Sequence, residues 1–193
     1  IFWESMLLTL YGMIAIGRGG SVKTAIKAFI IGGCTDLCMM LGMLIIWTQA
    51  RTFTMSSLHV TGDGLGAVAF ILLMIGAISK AGSMPFHSWI PDAAEDAPLP
   101  FMAYVPAAME KLLGIYFLTR IVLDFYTLSP DSWLSTLLMI VGVVTIILAV
   151  MMALIQKNYK KLLSYHAISQ VGHMILGTQV PMPRIMYPTW LIA

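Results

Sequence analysis

From Trp133 to Ile155 the sequence carries no charged side chain and no proline. About 20 predominantly apolar residues are what an α-helix needs to cross the hydrocarbon core of a bilayer. A helix keeps its backbone hydrogen bonds internal, which lipid cannot otherwise supply. Comparable apolar runs occupy 1–17, 25–47, 101–125 and 162–180, with an interrupted run over 65–90 and a short one over 185–193. The expected fold is therefore an all-α, polytopic transmembrane helix bundle, a single domain over 1–193. Composition agrees: charged residues are 10% of the chain, against roughly a quarter in soluble domains, and the mean hydropathy is +0.88. A soluble enzyme is excluded at that hydropathy. The net charge of +2 is too small for a nucleic-acid-binding surface. The chain starts at Ile1 rather than Met and ends at Ala193, both inside apolar runs, so it reads as an excerpt of a longer protein.

Basic residues predict the sidedness, because cytoplasmic loops are enriched in Lys and Arg. Arg18, Lys23 and Lys27 follow the first run, and Lys157, Lys160 and Lys161 follow the run ending at Ile155. If the runs alternate, both groups face the cytoplasm or its equivalent, in an inner membrane. The segment between the third and fourth runs belongs on that side too, although it is acidic (Asp92, Glu95, Asp96).

The third run is short for a span and then meets Ser79-Lys80-Ala81-Gly82-Ser83-Met84-Pro85. Gly82 and Pro85 are helix breakers, so a discontinuous helix is expected between Lys80 and Pro85. Broken backbone at membrane depth survives where protein or a watery cavity supplies the missing bonds, often at ion sites. The other reading ends the helix at Ser79, with Lys80 reaching to the interface.

Ionisable side chains within the bilayer cost roughly 2.5 to 3.5 kcal/mol each on insertion scales. Glu4, Asp36, Lys80, Glu110 and Lys111 fall inside the apolar runs. Glu110 and Lys111 lie about 15 Å into their helix at 1.5 Å per residue, and as neighbours they point about 100° apart, so each needs a partner on another helix. Lys80 with Glu4 is the expected pair. An ammonium beside a movable carboxylate can hold and release a proton; a static pair fixing helix register is the alternative. His166, Gln170 and His173 fall at i, i+4 and i+7, on one helical face. That stripe suits either proton passage or interhelical hydrogen bonding. His59 and His87 receive no role. Cys34 and Cys38 read as packing residues, as do the 16 methionines. No metal site, dinucleotide fingerprint or phosphate loop is present in the sequence, and no cofactor or catalytic redox residue is expected.

Three separated motifs then identify a resemblance. The run Ser79–Ala93, with Lys80, Gly82, Pro85, His87, Trp89 and Pro91, resembles the signature of the large antiporter-like subunits of complex I. The same family includes subunits of multi-subunit sodium/proton antiporters and of membrane-bound hydrogenases. Ala97-Pro98-Leu99-Pro100 is similar to its following turn. Ala153–Gln156, Lys160–Tyr165 and Ser169-Gln170-Val171-Gly172-His173 resemble its later signature, and Trp3-Glu4 and Lys27-Ala28-Phe29 with Asp36 fit as well.

The resemblance implies that Lys80 is the lysine of the broken helix, Glu4 its glutamate partner and Asp36 a less central carboxylate. All three would lie beside a hydrated axis that moves protons. It implies partners: other membrane subunits and a peripheral redox arm, with protons or sodium as the transported ion. One departure is Pro106 where the member most similar to the mitochondrial fifth subunit has a histidine, followed by Glu110-Lys111; Lys111 is the candidate replacement. Two rival functions are a cation/proton antiporter subunit without electron transfer and a non-conducting structural subunit.

Overall fold

The computed structural model describes residues 2–17, 19–51, 60, 62–126, 128 and 132–179. Arg18, His59 and the apolar stretch 185–193 lie outside the described residues. Eight α-helices follow in order: α1 (Phe2–Ala15), α2 (Ser21–Ala50), α3 (Leu65–Ala81), α4 (Trp89–Asp96), α5 (Leu99–Tyr104), α6 (Glu110–Arg120), α7 (Trp133–Ile155) and α8 (Tyr159–Gly177). There is no strand among the described residues.

Among the described residues, four stretches are long and apolar enough to cross a membrane: Ser21–Ala50, Leu65–Asp96, Leu99–Phe125 and Trp133–Ile155. The molecule is an integral, multi-pass membrane protein. Over an apolar 18-residue window, the stretch containing α3 is 72% buried, against 22–28% for the other three. So α3 runs through the protein interior, and its neighbours turn apolar faces such as Leu37, Leu41 and Leu44 of α2 or Ile147 and Met151 of α7 outward. Small side chains let the backbones close in, as membrane packing requires. A Cβ on Gly114 of α6 would stand 2.5 Å from the Ala81 amide nitrogen and 2.7 Å from the Ala77 carbonyl oxygen of α3.

The predicted break is present. α3 ends at Ala81, and Gly82 adopts φ 81°, the left-handed conformation glycine tolerates best. The Ser83 amide donates to the Ile78 carbonyl at 2.9 Å, and its hydroxyl meets that of Thr145 on α7 at 2.8 Å. A short 3-10 turn, Phe86–Ser88, leads into α4. The interruption is thus supported by protein groups on both sides of it.

Two features differ from expectation. The run 101–125 is not a plain helix: wide turns occupy Val105–Met109 and Ile121–Phe125, on either side of α6. Pro106 has no amide hydrogen with which to continue an α-helical ladder, and the Glu110 amide bonds instead to the Val105 carbonyl, five residues back. Lys160 and Lys161, expected in a loop, lie in the first turn of α8. Asn158 caps that helix by accepting from the Lys160 amide at 3.0 Å.

Candidate functional site

The buried charges of three helices converge at the end of α3. Asp36 of α2 is 2% exposed, Lys80 7%, Glu110 of α6 2% and Lys111 9%. The Lys80 Nζ lies 3.9 Å from the Asp36 Oδ2, within ion-pair range but too far for a hydrogen bond. This corrects the expected pairing: Glu4 is half-buried on α1 and forms no ion pair with Lys80. The neighbouring residue Trp3 points into the cluster in its place. Its indole Nε1–H donates to the Asp36 Oδ1 at 2.9 Å, and Lys80 Nζ sits 5.2 Å from the ring centroid, inside cation–π distance. Consecutive helical residues diverge by about 100°, so α1 can present only one of the two. The burial of Lys80 also removes the reading in which it reaches to the interface.

Local sequence explains the convergence. One residue before each member of the pair, the Thr35 hydroxyl donates to the Ser79 hydroxyl at 2.8 Å, pinning α2 to α3. Lys80 occupies the last turn of α3, where the carbonyl end of the helix dipole favours a cation. The wide turn at Val105–Met109 shifts the phase of α6, and the bare backbone at Gly114 brings its first turn against α3. Together these aim Glu110 into the site.

Asp36, Lys80 and Glu110 line one small cavity with Leu7, Gly32 and Trp89. It offers about 10 Å³ to a water's centre, close to the minimum for one water molecule. Asp36 Oδ2, Lys80 Nζ and Glu110 Oε2 have no hydrogen-bond partner among the described residues. Buried ion pairs are weak stabilisers beside apolar packing, and an incompletely bonded one is weaker still. Two carboxylates and one ammonium around a water-sized space form a unit whose proton number can change.

The other residues singled out by the sequence are placed elsewhere. Lys111, next to Glu110 on α6, is buried but does not line that cavity. His166, Gln170 and His173 do share one face of α8, but that face is exposed; the His173 Nδ1 lies 3.0 Å from its own helix's Ser169 carbonyl. His87 is half-buried after the break, its ring centroid 6.2 Å from that of Tyr165. Gly82 and Pro85 bound the break itself. Trp3, Thr35 and Ser79 join the site without having been anticipated there; the polar pair Thr35-Asp36 inside an apolar run is the one signal that points to them.

A second ionic group lies on α4 and its neighbours. Lys27 of α2 donates to Asp92 at 2.8 Å and to the Ser88 carbonyl at 2.9 Å. Lys161 meets Glu95 at 2.8 Å, which also accepts from Asn158 at 2.7 Å. Thr24 donates to Asp96 at 2.6 Å. The acidic segment therefore sits with basic residues of α2 and α8 at one end of the bundle, the end to which the alternation of spans assigns them. The hydrogen bond to Glu95 holds the Lys161 ammonium above its usual range.

Known proteins resemble the chain along most of its length. The family model for the NADH:quinone oxidoreductase/Mrp antiporter transmembrane region matches residues 1–191. Subunit L of NADH-quinone oxidoreductase from Pseudomonas aeruginosa is 32% identical over 187 residues, covering 92% of this chain and 30% of that protein. Subunit N from Ruthia magnifica is 29% identical over 185 residues, covering 90% and 38%. The chain thus spans roughly a third of the length of these relatives. Among solved structures, a membrane-bound sulfane sulfur reductase, an archaeal respiratory membrane complex, superposes with TM-score 0.80 at 26% identity over 92% of this chain and 37% of that one. An Mrp complex from Dietzia superposes at 0.81 and 24% identity, covering 92% and 34%, a likeness of fold alone.

Proposed function

The chain belongs to the NADH:quinone oxidoreductase/Mrp antiporter transmembrane family, and from that premise we propose that it forms part of a proton-translocating, antiporter-like subunit of a larger inner-membrane complex. The observation that carries the reading is Lys80, an ammonium buried where a helix is interrupted, 3.9 Å from Asp36 and sharing a cavity with Glu110. Lys80 takes up a proton and is stabilised by Asp36. Displacement of Asp36, driven from a neighbouring subunit, weakens that stabilisation and releases the proton through the cavity to Glu110. Lys111, next on α6, is the following acceptor. The His166, Gln170 and His173 stripe extends the path toward whatever packs on the exposed face of α8. Glu4, half-buried at the edge of the site, would act on the cluster's charge without touching it. Electron transfer, in complexes that couple to it, belongs to partner subunits.

The test is Lys80→Met in the intact membrane complex, read as proton uptake into vesicles. Assembly should be retained and proton transport lost. Pumping at the unmodified rate would overturn the proposal. The same vesicles separate the two branches of the family: turnover that requires sodium, without a redox substrate, would assign the chain to a cation/proton antiporter complex.

A further inference from the structure

We infer that Trp3 is a positioning residue of this site, whose indole holds Asp36 and Lys80 apart at the distance from which the lysine can give up its proton. The inference rests on the proton-relay reading of Lys80. Three contacts from three helices converge on this one side chain. Its N–H donates to Asp36 of α2 at 2.9 Å. Its ring face carries the Lys80 ammonium of α3 at 5.2 Å. The ring also meets Phe117 of α6, with ring centroids 5.4 Å apart and tilted by 60°, so neighbours on three helices fix the position of the indole.

The consequence lies in how Asp36 is divided. One carboxylate oxygen is taken by the indole, and the other remains 3.9 Å from the ammonium with no hydrogen bond. A buried carboxylate and ammonium left to themselves would close to a charge-assisted bond of about 2.7–2.9 Å. Such a bond holds the ammonium form tightly and opposes proton release. The indole N–H competes for the carboxylate, and the ring offers the ammonium a weaker, π-type seat in exchange. Trp3 thereby keeps the pair in an intermediate state from which a small displacement of Asp36 suffices. The other charged groups around the pair are Glu110 and Lys111 on α6 and Glu4 on α1. None of these forms an ion pair with Lys80 or Asp36 among the described residues, and the facing atoms Asp36 Oδ2 and Lys80 Nζ have no hydrogen-bond partner there, so these charges act on the pair only at a distance.

The experiment compares two replacements in the intact complex, with proton transport in vesicles measured across pH. Trp3→Phe keeps an aromatic face and removes the N–H. Incorporation of β-(3-benzothienyl)alanine at position 3 keeps both rings and exchanges the N–H for sulfur, so packing is preserved even if the phenylalanine variant assembles poorly. In either, Asp36 closes on Lys80, the ammonium is held more firmly, and its proton leaves only at higher pH. Turnover should fall several-fold, and the alkaline limb of the pH profile should move up by about 0.5–1 unit, a part of the roughly ten- to hundredfold that a hydrogen bond to a charged group commands. Slower turnover with an unmoved profile would mean that Trp3 only packs, and the inference would be lost; so would wild-type behaviour of the benzothienyl protein. Lys80→Met keeps the two levels distinct. If that variant still pumps, the relay reading itself falls. If it is silent while the benzothienyl profile stays put, the relay stands and only the role of Trp3 is withdrawn.

Discussion

The molecule holds two ionic groups that are built in opposite ways. Around α4 runs a collar of pairs: Lys27 meets Asp92 and Lys161 meets Glu95 at 2.8 Å, with side chains 28–41% exposed. Each partner there is hydrogen-bonded, and each is wet. At the end of α3, the side chains of Lys80 and Asp36 are only 5% and 3% exposed and stand 3.9 Å apart, with facing atoms unbonded. An ion pair whose purpose is attachment is expected to be short and satisfied, and the collar is both. The inner pair has the burial that makes charge expensive without the geometry that would offset it. On the proposed function, that contrast gives anchoring to the collar and proton handling to the interior. It also divides the interrupted helix: α4 is held from two sides by α2 and α8, while Lys80 on the other side of Gly82 retains room to respond.

The widest separation between the regions should come from Asp36→Ala. Removing one partner of a buried pair leaves an unpaired charge and costs about 3–5 kcal/mol. Proton transport should fall at least to the level of Lys80→Met, and the melting temperature of the purified complex should drop. The corresponding collar variant, Asp92→Ala, should cost no more than about 1 kcal/mol and leave transport near normal. Equal damage from both would erase the distinction. Salt sharpens it further. The Debye length is about 8 Å at physiological ionic strength, so raising salt should weaken the exposed pairs and leave the inner pair unaffected.

Much of the fold is legible in the sequence. Long uncharged runs such as Trp133–Ile155 announce spans through composition alone, and Gly82 with Pro85 announce the interruption through backbone chemistry. The partner of Lys80 is not legible there. Which of Trp3 and Glu4 faces inward depends on the rotation of α1 about its axis, and a helix apolar nearly all round carries little periodic signal to fix that rotation. The phase of α6 is hidden for a related reason. Pro106 announces a disturbance, but not that one extra residue enters the turn and re-aims Glu110. The collar is half visible: opposite charges at Lys27, Asp92, Glu95 and Lys161 are in view, and only the alternation of spans brings them to one end.

A smaller effect should follow from spoiling the approach of α6 without touching a charge. At Gly114 a new Cβ would meet the Ala81 and Ala77 backbone at 2.5 and 2.7 Å, and backbone cannot step aside as a flexible side chain can. Gly114→Ala should push α6 off α3 and withdraw Glu110 from the cavity. Overpacking of this kind costs about 1–3 kcal/mol. Transport should be slowed more than stability suggests, because the distance from Glu110 to Lys80 grows while Lys80 and Asp36 stay in place. A variant that loses stability yet transports normally would show that Glu110 lies off the path.

The smallest effect expected is at Lys161. Its ammonium is held above the usual value of 10.5 by the bond to Glu95. A basic group whose value is raised on folding contributes its stability in full below the unfolded value and loses it as pH rises through the folded one. The Lys161–Glu95 bridge should therefore be indifferent to pH across the neutral range and weaken only above about 10.5. Exposed pairs contribute roughly 0–1 kcal/mol, so Lys161→Ala should shift the melting temperature slightly at pH 7 and by nothing at pH well above that limit. Transport in the same variant should keep its pH profile, since the collar holds α4 and takes no part in moving protons. A shift of that profile would tie the collar to the inner pair, and the division between anchoring and transport would have to be given up.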